Sequence, residues 1–320
     1  MFSFVADIGG TRIKLALMRD QSVLAYESFA AHSTAGLAPQ LPRIAQGLDS
    51  LCRTSGSPRG ECVAFAMAFP SLIDAASNRV LAAYGKYLDA PHLDLTRWSQ
   101  EELGLPLLIE NDARMALLGE WQEGAGRGCD DLVMVTLGTG VGTAALIRGQ
   151  LVRGKHGQAG VLGGHLTVQQ NGRPCTCGNR GCVEAEASSF VLSALAADLP
   201  DYSRSALRHA DVIDFPAVFR LAREGDACAM SLKERVIDVW SSLIVNLIHA
   251  YDPERVIVGG GIVSGADEFF QELERRVLER AHTPWGRVSI VRGELGDSAA
   301  MFGGEYLCRQ RAPAEDARDR

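Results

Sequence analysis

The chain has 320 residues, of which 47% are apolar and 22% charged. This length exceeds what a single hydrophobic core usually organises, and the composition excludes a disordered chain and a small disulfide-bonded scaffold. The formal net charge of -7 opposes non-specific attraction to nucleic acid or to an anionic membrane. We therefore expect no nucleic-acid or membrane partner, and any anionic ligand must be bound by a local site.

The N-terminal sequence begins with an apolar strand. This run is interrupted by Asp7 and then by Gly9 and Gly10, unlike the longer apolar stretch of a signal peptide. No later run reaches the ~18 residues that a membrane helix needs. We expect a cytoplasmic protein whose eight cysteines are reduced. The positions of these cysteines are then more informative than their number.

The first half of the chain alternates predicted strands with predicted helices. Alternating apolar residues predict strands at 4–8, 13–17 and 23–29, the first two joined by Gly9–Gly10. Apolar residues at helical spacing predict an amphipathic helix over 37–51. The elements that follow are a strand at 62–69, a loop-rich stretch at 71–98, a strand at 107–109 and, after Glu110, Asn111 and Asp112, a helix that runs through Glu120 to Glu123.

The same pattern restarts at residue 132. Strands at 132–137 and 143–147 flank a second glycine turn, Gly138–Thr139–Gly140, and a later strand at 256–258 leads into a third glycine cluster at 259–261. A glycine-turn hairpin in each half predicts two related α/β lobes with a cleft between them. The predicted boundaries are an N-terminal lobe at 1–111, to which 297–320 returns, and a C-terminal lobe at 112–296 that includes a loop at 165–184.

The glycine turns have the composition of phosphate-binding loops, because each offers backbone N–H groups and a hydroxyl at the end of a strand. A single turn of this kind is more simply a tight β-hairpin, and neither has the spacing of a Walker or dinucleotide-binding motif. Two such turns and a third cluster favour a nucleotide site, in which Asp7 is placed to hold Mg²⁺. The predicted phosphate-binding residues are Asp7, Gly9, Gly10, Thr11, Lys14, Gly138, Thr139, Gly140, Gly260 and Gly261.

Five segments of the sequence occur in a characteristic order: DIGGTRIK, ENDARMALLGE, LGTGVG, CTCGNRGCVEAEAS and VIVGGG. Together they closely resemble the ROK family of sugar kinases and repressors, which includes glucokinases and N-acetylhexosamine kinases. The resemblance implies the actin/hexokinase/Hsp70 superfamily, with two ribonuclease-H-like lobes, ATP and sugar in the cleft, and a homodimer. Repressors of the family carry an N-terminal helix-turn-helix, whereas this sequence begins at its first strand, so we expect a kinase.

Asp112 is the predicted catalytic residue. Phosphoryl transfer needs a base that accepts the proton of the attacking hydroxyl, and a carboxylate fixed where a strand meets a helix is suited to this. The same position is typical of a helix N-cap, and the two roles are compatible. The resemblance implies that Asp112 is this base at the sugar and that Asn111 binds a sugar hydroxyl. It implies no role for Glu110, which we expect to be a solvated or hinge residue.

A second group of residues comprises Cys175, Cys177 and Cys182, three cysteines within eight positions, with His165 upstream. Four such ligands favour a tetrahedral Zn²⁺ site over free buried cysteines, since glycine, asparagine and arginine lie between them. The resemblance implies that this zinc is structural and orders a loop that contacts the sugar. It further implies sugar contacts from Glu184 and from the second ring nitrogen of His165.

One position departs from the family pattern. Where the family kinases read G-E-x-G-H and the glutamate contacts the sugar, counting back from His165 places Leu162 at the glutamate. Leucine accepts no hydrogen bond, so one side of the sugar ring is recognised differently here. Glu186 is a candidate replacement. The usual P-G-P sugar loop also differs, since this chain reads Phe69–Pro70–Ser71, and the sugar's identity stays open.

These observations favour an ATP- and Mg²⁺-dependent sugar kinase that phosphorylates a hydroxyl of a hexose or N-acylhexosamine. The departure at Leu162 motivates an alternative, a sugar-binding regulatory ROK protein with little kinase activity. A third hypothesis, an Hsp70-like ATPase, explains the glycine turns but not the cysteine cluster.

Overall fold

The computed structural model describes residues 1–263 and 267–311. The chain forms two compact units. Unit 1 comprises Met1–Gly128, Arg153–Ala159 and the segment from Asp297, and unit 2 comprises Cys129–Val152 and Gly160–Gly296. Each unit has its own five-stranded sheet, which confirms the predicted α/β class. The terminal residues 312–320, predicted to return to the N-terminal lobe, lie outside the described residues.

Strands and helices alternate in both halves of the chain. The strands within the described residues are β1 (Phe2–Ile8), β2 (Arg12–Arg19), β3 (Ser22–Ala30), β4 (Cys62–Phe69), β5 (Ile73–Asp74), β6 (Arg79–Val80), β7 (Leu107–Asn111), β8 (Leu132–Leu137), β9 (Val141–Ile147), β10 (Gln150–Leu151), β11 (Arg255–Gly259) and β12 (Ser289–Arg292). The α-helices in the same residues are α1 (Leu41–Ser55), α2 (Leu95–Trp98), α3 (Asp112–Glu123), α4 (Val183–Ala187), α5 (Leu192–Ala197), α6 (Phe215–Arg223), α7 (Ala227–Tyr251), α8 (Asp267–Arg280) and α9 (Ala299–Arg311). None of these helices combines the length and the hydropathy that crossing a membrane requires.

The sheet of unit 1 has the strand order β3-β2-β1-β4-β7. β1, β2 and β3 are antiparallel neighbours, whereas β4 runs parallel to β1, and β7 parallel to β4. Asp7 of β1 pairs with Ala68 of β4. Phe69, the next residue, pairs with Asn111 of β7. The carboxyl ends of β1, β4 and β7 therefore meet at one edge, which is where α/β sheets place their ligands. We call this edge the ligand edge of unit 1.

Helices cover both faces of this sheet. The apolar stripe of α1 is buried on the face that carries Phe4, and α9 is buried on the face that carries Val5. Helix α3 packs closely against α9. A Cβ added at Gly303 of α9 would lie only 1.8 Å from the carbonyl oxygen of Met115 of α3, so only glycine allows this approach. This contact keeps α3 in unit 1, so the chain leaves the unit after Gly128 and not after residue 111 as expected.

Unit 2 repeats the strand order of unit 1, as β10-β9-β8-β11-β12. β8 and β9 form the antiparallel hairpin, while β11 runs parallel to β8 and pairs Gly259 with Thr136. The 25-residue helix α7 buries Trp240, whose indole Nε1 donates to the carbonyl oxygen of Ala187 at 3.0 Å. Trp240 thus belongs to the core of this unit and not to an exposed helix face.

Candidate active site

The Gly9–Gly10 turn closes the β1-β2 hairpin at the ligand edge of unit 1. A Cβ added at Gly9 would lie 2.6 Å from the carbonyl oxygen of Arg12, so only glycine fits there. Both glycine carbonyls are held, since Tyr87 Oη donates to Gly9 and Ser33 Oγ donates to Gly10, each at 2.7 Å. The turn therefore has one fixed conformation, and the predicted phosphate-binding residue Thr11 is exposed beside it.

Asp7 and Lys14 face each other across the same hairpin. Lys14 Nζ lies 3.6 Å from Asp7 Oδ2 and 3.5 Å from Asp297 Oδ1. Burial raises the pKa of Asp7, and the positive charge of Lys14 partly offsets this effect. Lys14, which was predicted to bind phosphate, is therefore held between two carboxylates of its own unit.

Asn111 ends β7 and caps α3. Its Oδ1 accepts hydrogen bonds from the backbone N–H groups of Ala113 at 3.1 Å and Arg114 at 3.2 Å. Its Nδ2 donates to the carbonyl oxygen of Ser71 at 3.1 Å, in the loop that differs from the family's P-G-P. The N-cap role considered for Asp112 thus belongs to Asn111, because Asp112 is already the first helical residue.

Asp112 combines burial with a neighbouring like charge. Burial, followed by the negative charge of Asp7, raises the pKa of Asp112 to about 6. The opposing effects are a hydrogen bond from the backbone N–H of Ala113, at 2.8 Å, and the positive charge of Lys86. A general base works best when its pKa lies near the operating pH. The carboxylate is therefore ionised at neutral pH and still basic enough to accept a proton.

Glu110 is fully buried, so the expectation of a solvated or hinge residue is wrong. Its carboxylate pairs with Arg153 Nη2 at 2.6 Å and with Arg114 Nη1 at 3.3 Å. Arg114, also fully buried, donates to the carbonyl oxygens of Gly157 at 3.0 Å and Ala159 at 2.7 Å. A buried carboxylate needs such partners. Arg114 is only four positions from Glu110, whereas the pairing with Arg153, 43 positions away, has no signal in the local sequence.

Lys86 is a residue that the sequence analysis missed. It lies against the Gly9–Gly10 turn, where a Cβ added at Gly10 would meet Lys86 Nζ at 2.3 Å. Glycine at this position therefore makes room for the lysine side chain. The neighbouring Tyr87 is buried and anchors the loop on Gly9. A lysine in a loop-rich stretch carries no local signal of this contact.

In unit 2 the second glycine turn and the third glycine cluster lie side by side. Gly260 has a φ of +94°, and a Cβ added there would lie 2.2 Å from the carbonyl oxygen of Leu137, so the chain after β11 passes directly against the end of β8. At Gly138 and Gly261, an added Cβ would meet nothing within 4 Å among the described residues. The surroundings of these two glycines are open to a ligand.

Glu184 lies in the first turn of α4 and contacts the second glycine turn. Its Oε2 accepts a hydrogen bond from the backbone N–H of Val141 at 3.1 Å, and a Cβ added at Gly140 would lie 2.5 Å from the same oxygen. The predicted sugar ligand therefore holds the glycine turn through one carboxylate oxygen. Thr139, at the tip of the turn, is exposed.

The cysteine cluster forms a compact set of ligands. The ligand atoms of His165, Cys175, Cys177 and Cys182 all lie within 4.8 Å of one another. His165 Nδ1 is 3.5 Å from Cys175 Sγ, and Cys177 Sγ is 3.7 Å from Cys182 Sγ. A tetrahedral zinc with Zn–S bonds of ~2.3 Å places its sulfurs ~3.8 Å apart, so the four residues fit Zn²⁺. Because Nδ1 faces the sulfur, Nε2 is the nitrogen left for another partner.

Leu162 precedes a short helical turn, Gly163–His165, and is half-buried. Glu186, the candidate replacement for the missing glutamate, is buried. Its carboxylate accepts a hydrogen bond from the backbone N–H of Arg173 at 2.6 Å and pairs with Arg235. These contacts occupy Glu186 and argue against its replacing the family glutamate.

Comparison with known proteins agrees with this arrangement. Residues 4–311 match the ROK family. A glucokinase of Thermotoga maritima is 30% identical over 95% of this chain and 96% of its own length. A glucokinase of Halalkalibacterium halodurans is 28% identical over 95% of this chain and 94% of its own. The structure of a ROK family glucokinase from Streptomyces griseus, solved in complex with glucose and AMPPNP, covers 97% of this chain and 100% of its own with a TM-score of 0.76 at 27% identity. Because the match spans nearly the whole chain as well as its motifs, the chain belongs to the ROK family.

Proposed function

We propose that this protein is an ATP-dependent sugar kinase that transfers the γ-phosphoryl group to a hydroxyl of a hexose or N-acylhexosamine. The observation that carries the proposal is Asp112, a carboxylate with a pKa of about 6 at the ligand edge of unit 1. The glucokinase relatives, and the glucokinase structure with glucose and AMPPNP, support the same activity.

Asp112 acts as the general base. Its carboxylate accepts the proton of the sugar hydroxyl as that oxygen attacks the γ-phosphorus in line with the leaving oxygen of ADP. The turns Gly9–Gly10–Thr11 and Gly138–Thr139–Gly140 bind the phosphates through backbone N–H groups, and the open space at Gly138 and Gly261 supports a close approach. Asp7 would hold Mg²⁺, and the ion would neutralise part of the phosphate charge.

Sugar recognition is assigned to Asn111, His165 and Glu184, together with Asp112. Both side-chain groups of Asn111 are held by the backbone, which leaves one hydrogen of its Nδ2 for a sugar hydroxyl. Glu184 has one carboxylate oxygen held by the backbone, so the other is preorganised for a sugar hydroxyl. A structural Zn²⁺ on its four ligands would fix the ring of His165. Leu162 provides no carboxylate, so the preferred sugar makes fewer polar contacts at that position.

The test is a coupled ADP-release assay with Mg²⁺-ATP against glucose, mannose, fructose, N-acetylglucosamine and N-acetylmannosamine, with the product confirmed by mass. We expect turnover of at least one of these sugars. Asp112→Asn should then reduce kcat by about 10²-fold or more with the fold intact, because the proton has no positioned acceptor. Asp211→Asn, at an exposed loop position of unit 2, is the matched control and should retain activity.

Two outcomes would contradict the proposal. Undiminished turnover by Asp112→Asn would remove Asp112 as the base. Sugar binding without turnover across the whole panel would instead support the regulatory alternative that Leu162 motivated.

We further infer a cytoplasmic homodimer. None of the eight cysteines takes part in a disulfide bond, which agrees with a reducing compartment. The dimer rests on the family resemblance alone, and light scattering coupled to gel filtration tests it, since a mass near that of one chain would refute it.

A further inference from the structure

We propose that Lys86 is a second catalytic residue, whose ammonium group contacts the phosphoryl group during its transfer. This inference rests on the proposed kinase function and adds a cation from the 71–98 loop to its chemistry. The residues that carry it are Gly10, Lys86 and Asp112, all in unit 1.

The Lys86 side chain packs against the first glycine turn. The end of the Lys86 side chain lies along Gly10, since a Cβ added there would be 2.3 Å from Nζ, 2.6 Å from Cε and 2.9 Å from Cδ. The turn assigned to phosphate binding therefore has a cation directly against its second glycine. No other residue type fits at Gly10 while Lys86 keeps this position.

Hydrogen bonds of the neighbouring Tyr87 hold the backbone that carries Lys86. Tyr87 is buried, its hydroxyl donates to Gly9, and its backbone N–H donates to the carbonyl oxygen of Ser33 at 2.9 Å. Ser33 in turn donates from Oγ to Gly10 at 2.7 Å. Tyr87 thus ties the loop to the glycine turn directly after Lys86, so the backbone that carries the lysine lies beside the turn before any ligand binds.

Two lysines lie at this edge, and they differ in whether a carboxylate already neutralises them. The other lysine at this edge, Lys14, already lies 3.6 Å from Asp7 and 3.5 Å from Asp297. Lys86 is exposed, and none of the described carboxylate side chains has an oxygen within 4.0 Å of its ammonium. Its charge does reach Asp112, because it opposes the rise in the pKa of that residue. Lys86 is therefore the cation available to an anionic group between the turn and the base.

The step balances without a proton from Lys86. A bond forms between the sugar oxygen and the γ-phosphorus, and the bond from that phosphorus to the β,γ-bridging oxygen breaks. The electron pair stays on the leaving oxygen of ADP, and the hydroxyl proton passes to Asp112. Lys86 remains an ammonium and stabilises the negative charge on the phosphoryl oxygens and the leaving oxygen.

The experiment compares Lys86→Met with Lys86→Arg, and uses Lys233→Met on α7 of unit 2 as the matched control. Lys86→Met shortens the unbranched side chain by one atom and removes the charge. We expect kcat to fall by about 10²-fold, as when one preorganised donor is lost, with KM for the sugar unchanged. Lys86→Arg should recover part of this loss, and Lys233→Met should resemble the wild type. Thermal unfolding of each variant checks that the fold is retained.

A pH profile separates a catalytic role from a structural one. The charged groups that face Asp112 are Asp7 and Lys86, with Lys14 beside Asp7. Loss of the Lys86 charge removes an effect that lowers the pKa of Asp112, so the acidic limb of kcat/KM should move to higher pH in Lys86→Met. Lys86→Arg should leave the limb in place.

Several results would overturn the inference. An unchanged kcat in Lys86→Met would exclude contact with the transferred phosphoryl. A raised KM for the sugar with unchanged kcat would assign Lys86 to the acceptor instead. If Asp112→Asn is inactive while Lys86→Met is not, the kinase function stands and this inference fails. Wild-type protein inactive on every sugar would refute both.

Discussion

At the scale of single residues, the ligand edge of unit 1 is governed by two neighbouring carboxylates. Asp7 and Asp112 both have raised pKa values, in each case mainly through burial, and the charge of Asp7 adds to the rise at Asp112. Lys14 and Lys86 oppose these effects. Both residues become protonated at a higher pH than ordinary carboxyls, which couples activity to pH.

This coupling predicts a pH dependence. Below its pKa of about 6, Asp112 is protonated and cannot act as a base, so kcat/KM should rise with pH and level off above that value. Asp7→Asn removes the neighbouring negative charge, lowers the pKa of Asp112, and should move this limb to lower pH even if the maximal rate falls. pH–rate profiles of both proteins measure the effect. Asp74→Asn is the control, because this half-buried residue at the end of β5 is not among the groups that shift the pKa of Asp112. An unmoved limb in Asp7→Asn would contradict the assignment.

At the scale of elements, polar side chains hold the turns and loops of the candidate site. Asn111 caps α3 and ties down the loop at Ser71, and Glu184 of α4 holds the second glycine turn. The loop that contains the cysteine cluster has little regular secondary structure. The elements that flank it are the short turn Gly163–His165 and the short helix α4. We therefore expect its order to depend on a bound metal more than on packing.

This dependence predicts a zinc site with a defined ligand set. The purified protein should contain one Zn²⁺ per chain by elemental analysis, because three thiolates and an imidazole at tetrahedral spacing favour that metal. Cys177→Ser should lose the zinc and increase hydrogen exchange in residues 165–182. Cys129→Ser, a buried cysteine outside the cluster, should keep it. Full zinc content in Cys177→Ser would exclude the proposed ligand set.

At the scale of the whole molecule, the chain builds the same strand order twice and then returns to its first unit. Helix α9 lies more than 170 positions after α3 in the sequence, yet the two pack together in unit 1. Their contact depends on Gly119 and Gly303, where a Cβ would lie 2.0 Å from Ala299 O and 1.8 Å from Met115 O. Unit 1 is therefore complete only when the last helix is in place.

The close contact between α3 and α9 predicts an unusual effect of alanine in a helix. A glycine-to-alanine change inside a helix ordinarily stabilises it by about 1 kcal/mol. Gly303→Ala should instead lower the free energy of unfolding by about 1–3 kcal/mol, because the added methyl group overpacks the contact with Met115. Urea unfolding measures this change. The control is Gly60→Ala, where a Cβ meets nothing within 4 Å, and equal stability of the two variants would refute the argument.

Much of the fold was predictable because its signals are local. Alternating apolar residues predicted β1, β2 and β3, and glycines predicted both hairpin turns. The helix predicted over 37–51 begins only at Leu41 in the structure, since a separate short turn, Ala38–Gln40, lies between Leu37 and the helix. The boundary predicted at 111 differs from the structure because the position of α3 depends on α9, whose contact leaves no trace in the local pattern.

The candidate site likewise has some features that the local sequence predicts and others that only the tertiary structure reveals. Sequence by itself determined that Cys175, Cys177 and Cys182 form a cluster, that glycines close the hairpin turns and that Asn111 and Asp112 follow a strand, because each of these signals lies within a short stretch of the chain. Only the tertiary structure decided that Glu110 is a buried ion-pair partner, that Glu184 holds a glycine turn, and that Lys86 lies on Gly10. The contacts of Glu110 with Arg153, of Glu184 with Val141 and of Lys86 with Gly10 each join residues more than 40 positions apart, and such pairing is set by how the sheets bring strand ends together.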